Sequence, residues 1–194
     1  MRFTREAIAG ILTRPDLGVN PDPSYHGVVR DIGELGGWDV EGPVRAEIFM
    51  VWLNGDRLEL TGPDGAVPWI VQLEDAEHPV EVVDRIVNGL VGSPMLAHST
   101  SWRRDGTAVI LSFVVAIGPD QVSGMESTPI GRAQLARSAA TRAPTRIGHA
   151  QVLEHGLRHL AWLAQDDPVV ARLLSTEWRQ ALSAYVPEPF RSFS

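Results

Sequence analysis

Histidines at 26, 78, 98, 149, 155 and 159, 24 carboxylates and 17 arginines are the groups with which this 194-residue chain could do chemistry. His155 and His159 stand four apart. On a helix that spacing sends both imidazoles from one face, where they can chelate zinc or another transition metal, with a carboxylate such as Glu154 or Asp166 as a further ligand. The residues between them, Gly156-Leu157-Arg158, are not the Glu-x of the zinc-protease box, which excludes that mechanism. The alternative is a polar helix face, bordered by Gln151, Arg158 and Trp162, packed on a sheet edge or a partner. A second group is the polar run Ala97-His98-Ser99-Thr100-Ser101-Trp102-Arg103 between apolar segments. Strand alternation would put His98, Thr100 and Trp102 on one face and Ser99, Ser101 and Arg103 on the other. Hydroxyls in a sheet must be hydrogen-bonded or wet, so the stripe lines either a ligand pocket or an open sheet face. Arg132, Arg137, Arg142 and Arg146 form a third group. Their guanidinium forks could hold a phosphate or carboxylate, or they could belong to a solvated connection.

Composition removes other chemistry. There is no lysine, hence no Schiff-base enzyme and no P-loop, and no cysteine, hence no thiolate nucleophile, disulfide or thiolate metal site. The serines lack a Gly-x-Ser-x-Gly elbow. A net charge of −7 argues against general affinity for nucleic acid or anionic membranes. No apolar run approaches the ~20 residues of a membrane span, and the N-terminal apolar stretch is short for a signal peptide, so a cytoplasmic location is expected.

The elements that must position these groups read as α+β. Residues 1–13 suggest a short helix, and 18–43 are irregular and Gly/Pro-rich. Val44 to Leu53 alternates and then becomes continuously apolar, the pattern of a central strand. Asn54-Gly55 signals a hairpin into a partner strand over 56–60, and Pro63-Asp64-Gly65 a second turn into a third strand over 67–73. At Pro79 the period changes: Val80, Val83, Val87 and Leu90 make a helical stripe to Val91. Strands over 95–103 and 107–117 follow, joined at Arg104-Asp105-Gly106. Residues 118–148 show little periodicity, with a short helix open over 131–140, and are long enough to suggest a functional segment. A helical pair closes the pattern. Leu153, Leu157, Leu160 and Ala164 mark a helix over 149–165, and Val170, Leu174, Trp178 and Leu182 a second over 167–185, stopped by Pro187. The organisation read is thus 1–43, a sheet domain over 44–118, a connection over 119–147, and the helical pair over 148–194. Tryptophans at 38, 52, 69, 102, 162 and 178 are expected to anchor core and joints.

The helix over 79–91 carries a family resemblance. Glu77, seven intervening residues, Arg85, Val87 and Gly92 match in spacing four places of the Nudix box, Gly-x5-Glu-x7-Arg-Glu-U-x-Glu-Glu-x-Gly-U, U being a bulky aliphatic. Strands before the box and after it match that fold as well. The box departs at Val71 for its opening glycine, at Ile86, Gly89 and Leu90 for its three later glutamates, and at Ser93 for its last aliphatic. In Nudix hydrolases those glutamates place magnesium or manganese on a pyrophosphate. The resemblance therefore implies a mixed sheet with a packed helix, kept as scaffold, and a lost metal site.

Binding is accordingly expected over catalysis. The leading expectation is a catalytically inactive Nudix-like ligand-binding or protein-interaction module, with Glu77, Arg85, His98, Thr100, Trp102 and Arg103 as binding candidates and a small-molecule or nucleotide-like ligand. No cofactor is expected, with magnesium and zinc left open. The alternatives are a metal-dependent hydrolase using His155 and His159, and a structural homo-oligomer whose helices form the interface.

Overall fold

A computed structural model describes residues 42–74, 77–133, 135 and 147–185. The expectations for residues 1–41, His26, Trp38, Arg137, Arg142, Arg146 and the stop at Pro187 lie outside these residues. The architecture is α+β. Strand β1 spans Val44–Asn54, β2 Arg57–Thr61, β3 Trp69–Leu73, β4 Leu96–Asp105, β5 Ala108–Ala116 and β6 Ser127–Pro129. Helix α1 covers Pro79–Val91, α2 His149–Asp166, α3 Pro168–Leu173 and α4 Thr176–Leu182.

All six strands form one mixed sheet in the order β4-β5-β1-β2-β6, with β3 also on β1. Strand β1 is central because both its edges are used. Val44 to Val51 pair in parallel with β5, while the other edge is divided, Val44–Ile48 pairing with β3 and Met50–Asn54 with β2. Its near-continuous apolar run follows from burial on both faces. Val44, Ala46, Ile48 and Met50 pack with Val82, Val83 and Val87 of α1. Phe49 and Val51 pack with Leu153, Leu157 and Leu160 of α2 and with Leu174, Trp178 and Leu182 beyond it. Each buried Val, Leu, Ile, Phe or Met among these contributes about 1.5–3 kcal/mol relative to exposure. Glu47, fully buried, is the exception to the apolar pattern.

The β1–β2 turn is Gly55-Asp56, one residue later than the Asn-Gly signal. Asn54 pairs with Arg57, and Gly55 takes the positive φ of 63° that the turn needs. The second C-terminal helix is not continuous. Asp167 Oδ1 caps α3 by accepting from Val169 and Val170 N–H, Leu174 is extended, and Ser175 Oγ then caps α4 by accepting from Trp178 N–H. A cap serine competes with helix continuation by supplying its own acceptor, and the break still buries Leu174. Within 118–133 there is a 3-10 turn, Pro119–Val122, and β6, which adds to β2. Ser-Thr-Pro has no pattern of its own, so this pairing exists only in tertiary context. Residues 131–133 are not helical, and the rest of the helix left open over 131–140 lies, apart from residue 135, outside the described residues. Among the described residues no helix is long and apolar enough to cross a membrane.

Candidate functional site

At the start of α1, Arg85 Nη2 donates to Glu77 Oε1 at 2.7 Å, and Glu77 Oε2 accepts from the Glu74 N–H at 2.9 Å. That backbone donor first, and the guanidinium second, hold the Glu77 carboxyl below the usual carboxylate range. The pair clips the segment before the helix onto the helix surface, with Arg85 63 % exposed. Gly92 has φ +79°, a value that favours glycine at the helix end. At the places of the box glutamates, Ile86 packs on the α1-side core and Leu90 is exposed. Among the described residues no three His, Cys, Asp or Glu side chains are grouped to hold a metal.

The polar strand β4 departs from the expected alternation. A bulge between Ser99 and Ser101 leaves Thr100 without a direct partner, so parity inverts: His98 pairs with Val114 and Ser101 with Ser112. His98 and Arg103 consequently face α2 together. Trp102, beside Leu111, lies on the other face and is half-exposed. The grouping of His98, Thr100 and Trp102 is thus corrected to His98, Thr100, Ser101 and Arg103. Thr100 donates to the Ser112 carbonyl and borders Gly156 of α2.

Near one end of this face His98 meets His159, Nε2 to Nδ1 at 3.2 Å, and the His159 ring stacks on Trp162 at 5.5 Å. Burial, then the neighbouring His159, push the His98 pKa down to about 4, against an opposing pull from Asp167. Burial and His155 lower that of His159 as well. His155 itself is exposed. The i,i+4 pair is therefore divided, and His159 turns to β4.

Two buried carboxylates organise the rest. Glu154 on α2 accepts from Arg132 Nη2 at 2.7 Å and Nε at 3.0 Å, from Arg158 Nε at 2.8 Å and from the Ala133 N–H. Burial alone would raise its pKa, but these donors outweigh burial and lower it. Arg132 also stacks on Tyr185 and donates to the Ala184 carbonyl. Glu154 is thereby committed to guanidinium groups, and Arg132 belongs to a structural network.

The other carboxylate is Glu47. Arg103 grips it from both sides, Nη1 to Oε2 at 2.6 Å and Nη2 to Oε1 at 2.9 Å. Ser112 Oγ donates to Oε2 at 3.1 Å and itself accepts from Arg103 Nη1. His149, the first residue of α2, completes the set with Nδ1 2.5 Å from Oε1. Its ring is 43 % exposed and lines an open cleft of about 120 Å³ with Phe49, Leu60, Thr128, Ile130 and Leu153. β1 supplies the carboxylate, β4 and β5 the neutralising and bridging groups, and α2 carries the imidazole to the surface. Arg103 is among the binding candidates the sequence offers, whereas Glu47 is not. A carboxylate in a strand apolar on both faces was the available signal, because such a group must find a cation.

No protein-family model matches the chain, and no curated protein matches it. Among solved structures, the crystal structure of Shewanella oneidensis NrtR matches 77 % of this chain and 80 % of that one, with 10 % identity and a TM-score of 0.49.

Proposed function

We propose that this chain is a ligand-binding module on a Nudix-like α+β scaffold that does not use Nudix metal chemistry, with its ligand in the cleft fronted by His149. The observation carrying this reading is the Glu47–His149 contact. A buried carboxylate with both oxygens occupied holds one imidazole at the wall of a mainly apolar recess that also carries Thr128, the combination of apolar lining and a few placed polar groups that small-molecule sites share. The Glu77–Arg85 pair serves as a clip on α1, and Ile86, Gly89 and Leu90 offer no hard oxygen ligands. The test is a small-molecule thermal-shift screen of the wild type beside Ala66→Phe, which fills the cleft from an exposed wall position. A ligand at 100 times its dissociation constant adds ~2.7 kcal/mol of stability. Stabilising compounds that lose their effect in Ala66→Phe support the reading. Hydrolysis of nucleoside-diphosphate substrates with magnesium or manganese, abolished by Glu77→Gln, would overturn it.

A further inference from the structure

We infer that His149 presents a lone pair to the cleft, so that the ligand's polar group is a neutral hydrogen-bond donor, a phenol-type hydroxyl, on an apolar body the size of one ring. This rests on the ligand-binding reading and names its chemistry. A carboxylate with a guanidinium N–H on each oxygen and a serine hydroxyl on one is an acceptor. His149 Nδ1 therefore donates to it, which fixes the ring orientation and leaves Nε2 as the free nitrogen. Among the described residues Nε2 has no partner. Glu47 and Arg103 cancel one another's charge, so among the described residues the cleft has no side-chain cation dedicated to a phosphate. Among the described residues its walls are Phe49, Leu60, Ile130 and Leu153, with Thr128 a second polar side chain. The volume, about 120 Å³, is close to the roughly 150 Å³ cavity that holds benzene and is small for a nucleotide. The start of α2 also borders the cleft at Ala150, and its dipole favours an anion, the chemistry that competes with this assignment.

The experiment titrates p-cresol, toluene, 4-methylbenzoate and inorganic phosphate into full-length protein labelled with nitrogen-15, following amide signals of the cleft residues and the imidazole nitrogens of His149 at pH 8. Nε2 should resonate as a pyridine-type nitrogen and Nδ1 as an N–H. Cresol should bind up to about tenfold tighter than toluene, the advantage of one net hydrogen bond, and His149→Leu should erase that margin while toluene still binds. Equal affinity for cresol and toluene, tighter binding of methylbenzoate or phosphate, or an N–H signal on Nε2 in the free protein would each overturn the inference and leave ligand binding in place. If none of the four perturbs the cleft amides, the ligand-binding reading fails with it. Should His149→Leu not fold, His149→Phe serves, since its ring keeps the shape without an accepting lone pair and the margin should vanish there as well.

Discussion

Removing the guanidinium of Arg103 should expose what Glu47's position costs. Glu47 has no solvent access and the Arg103 side chain only 17 % exposure, so Arg103→Met leaves a buried carboxylate with Ser112 and His149 alone. Breaking a buried pair from one side costs about 3–5 kcal/mol, since the remaining charge is neither paired nor hydrated. The two surviving donors place the expectation at the lower end. In a domain of this size each kcal/mol moves the melting temperature by roughly 2–4 °C, so a loss of about 3 kcal/mol lowers it by about 6–12 °C. The double variant Glu47→Leu/Arg103→Met removes both charges and should recover most of that loss, because apolar replacement of a whole buried pair is often neutral or stabilising. Urea denaturation of wild type, both singles and the double, with a common slope, measures all four stabilities. Two results would refute the reasoning: a loss below about 1 kcal/mol for Arg103→Met, or a double variant less stable than Arg103→Met alone.

His98 supplies a pH dependence. Its folded pKa, about 4, lies below the unfolded 6.5, so between these values the unfolded chain binds the extra proton. Its stabilising contribution is complete above pH 6.5 and is lost as pH falls through 4, on the order of 3 kcal/mol; denaturation of His98→Phe should show a flatter acid limb than wild type, and an equal slope would contradict this. Two glycines should respond oppositely to alanine. At Gly156 a Cβ would come 2.5 Å from Val114 Cγ2, so overpacking of about 1–3 kcal/mol should exceed the helical gain, whereas Gly89→Ala meets nothing within 4 Å and should stabilise by about 1 kcal/mol. Arg85→Ala removes a surface clip and should leave the denaturation midpoint within error of wild type; a clear destabilisation would show that the Glu77–Arg85 pair carries more of the fold than its exposure implies.

Legibility followed the range of the physical signal. Helix α1 begins and ends where its proline and its three-and-four spacing place it, because amphipathic period and N-terminal proline are local properties. The β1–β2 and β4–β5 hairpins were readable from turn glycines at positions requiring positive φ. The face of β4 was not, since one extra residue at Thr100 inverts alternation and nothing in a Ser-Thr-Ser run marks where a bulge falls. The break at Leu174 escaped the helical stripe because Leu174 stays buried along with Val170 before it and Trp178 and Leu182 after it. Of the binding candidates, Arg103 meets the cluster beside the cleft, His98 and Thr100 lie against α2, and Glu77, Arg85 and Trp102 lie elsewhere.

By itself the sequence determined the α+β class and the covalent chemistry it lacks: period two turning to period 3.6 at Pro79, and no lysine or cysteine. Tertiary structure alone decided which polar groups meet. Arg103 lies 56 residues and His149 102 residues from Glu47, distances over which no propensity or spacing acts. Their convergence comes from parallel pairing of β1 with β5, the β4 bulge that returns Arg103 to the inner face, and docking of α2 across that face. Desolvation of Glu47 then makes the meeting obligatory, since a buried carboxylate is tolerated only with its donors in place.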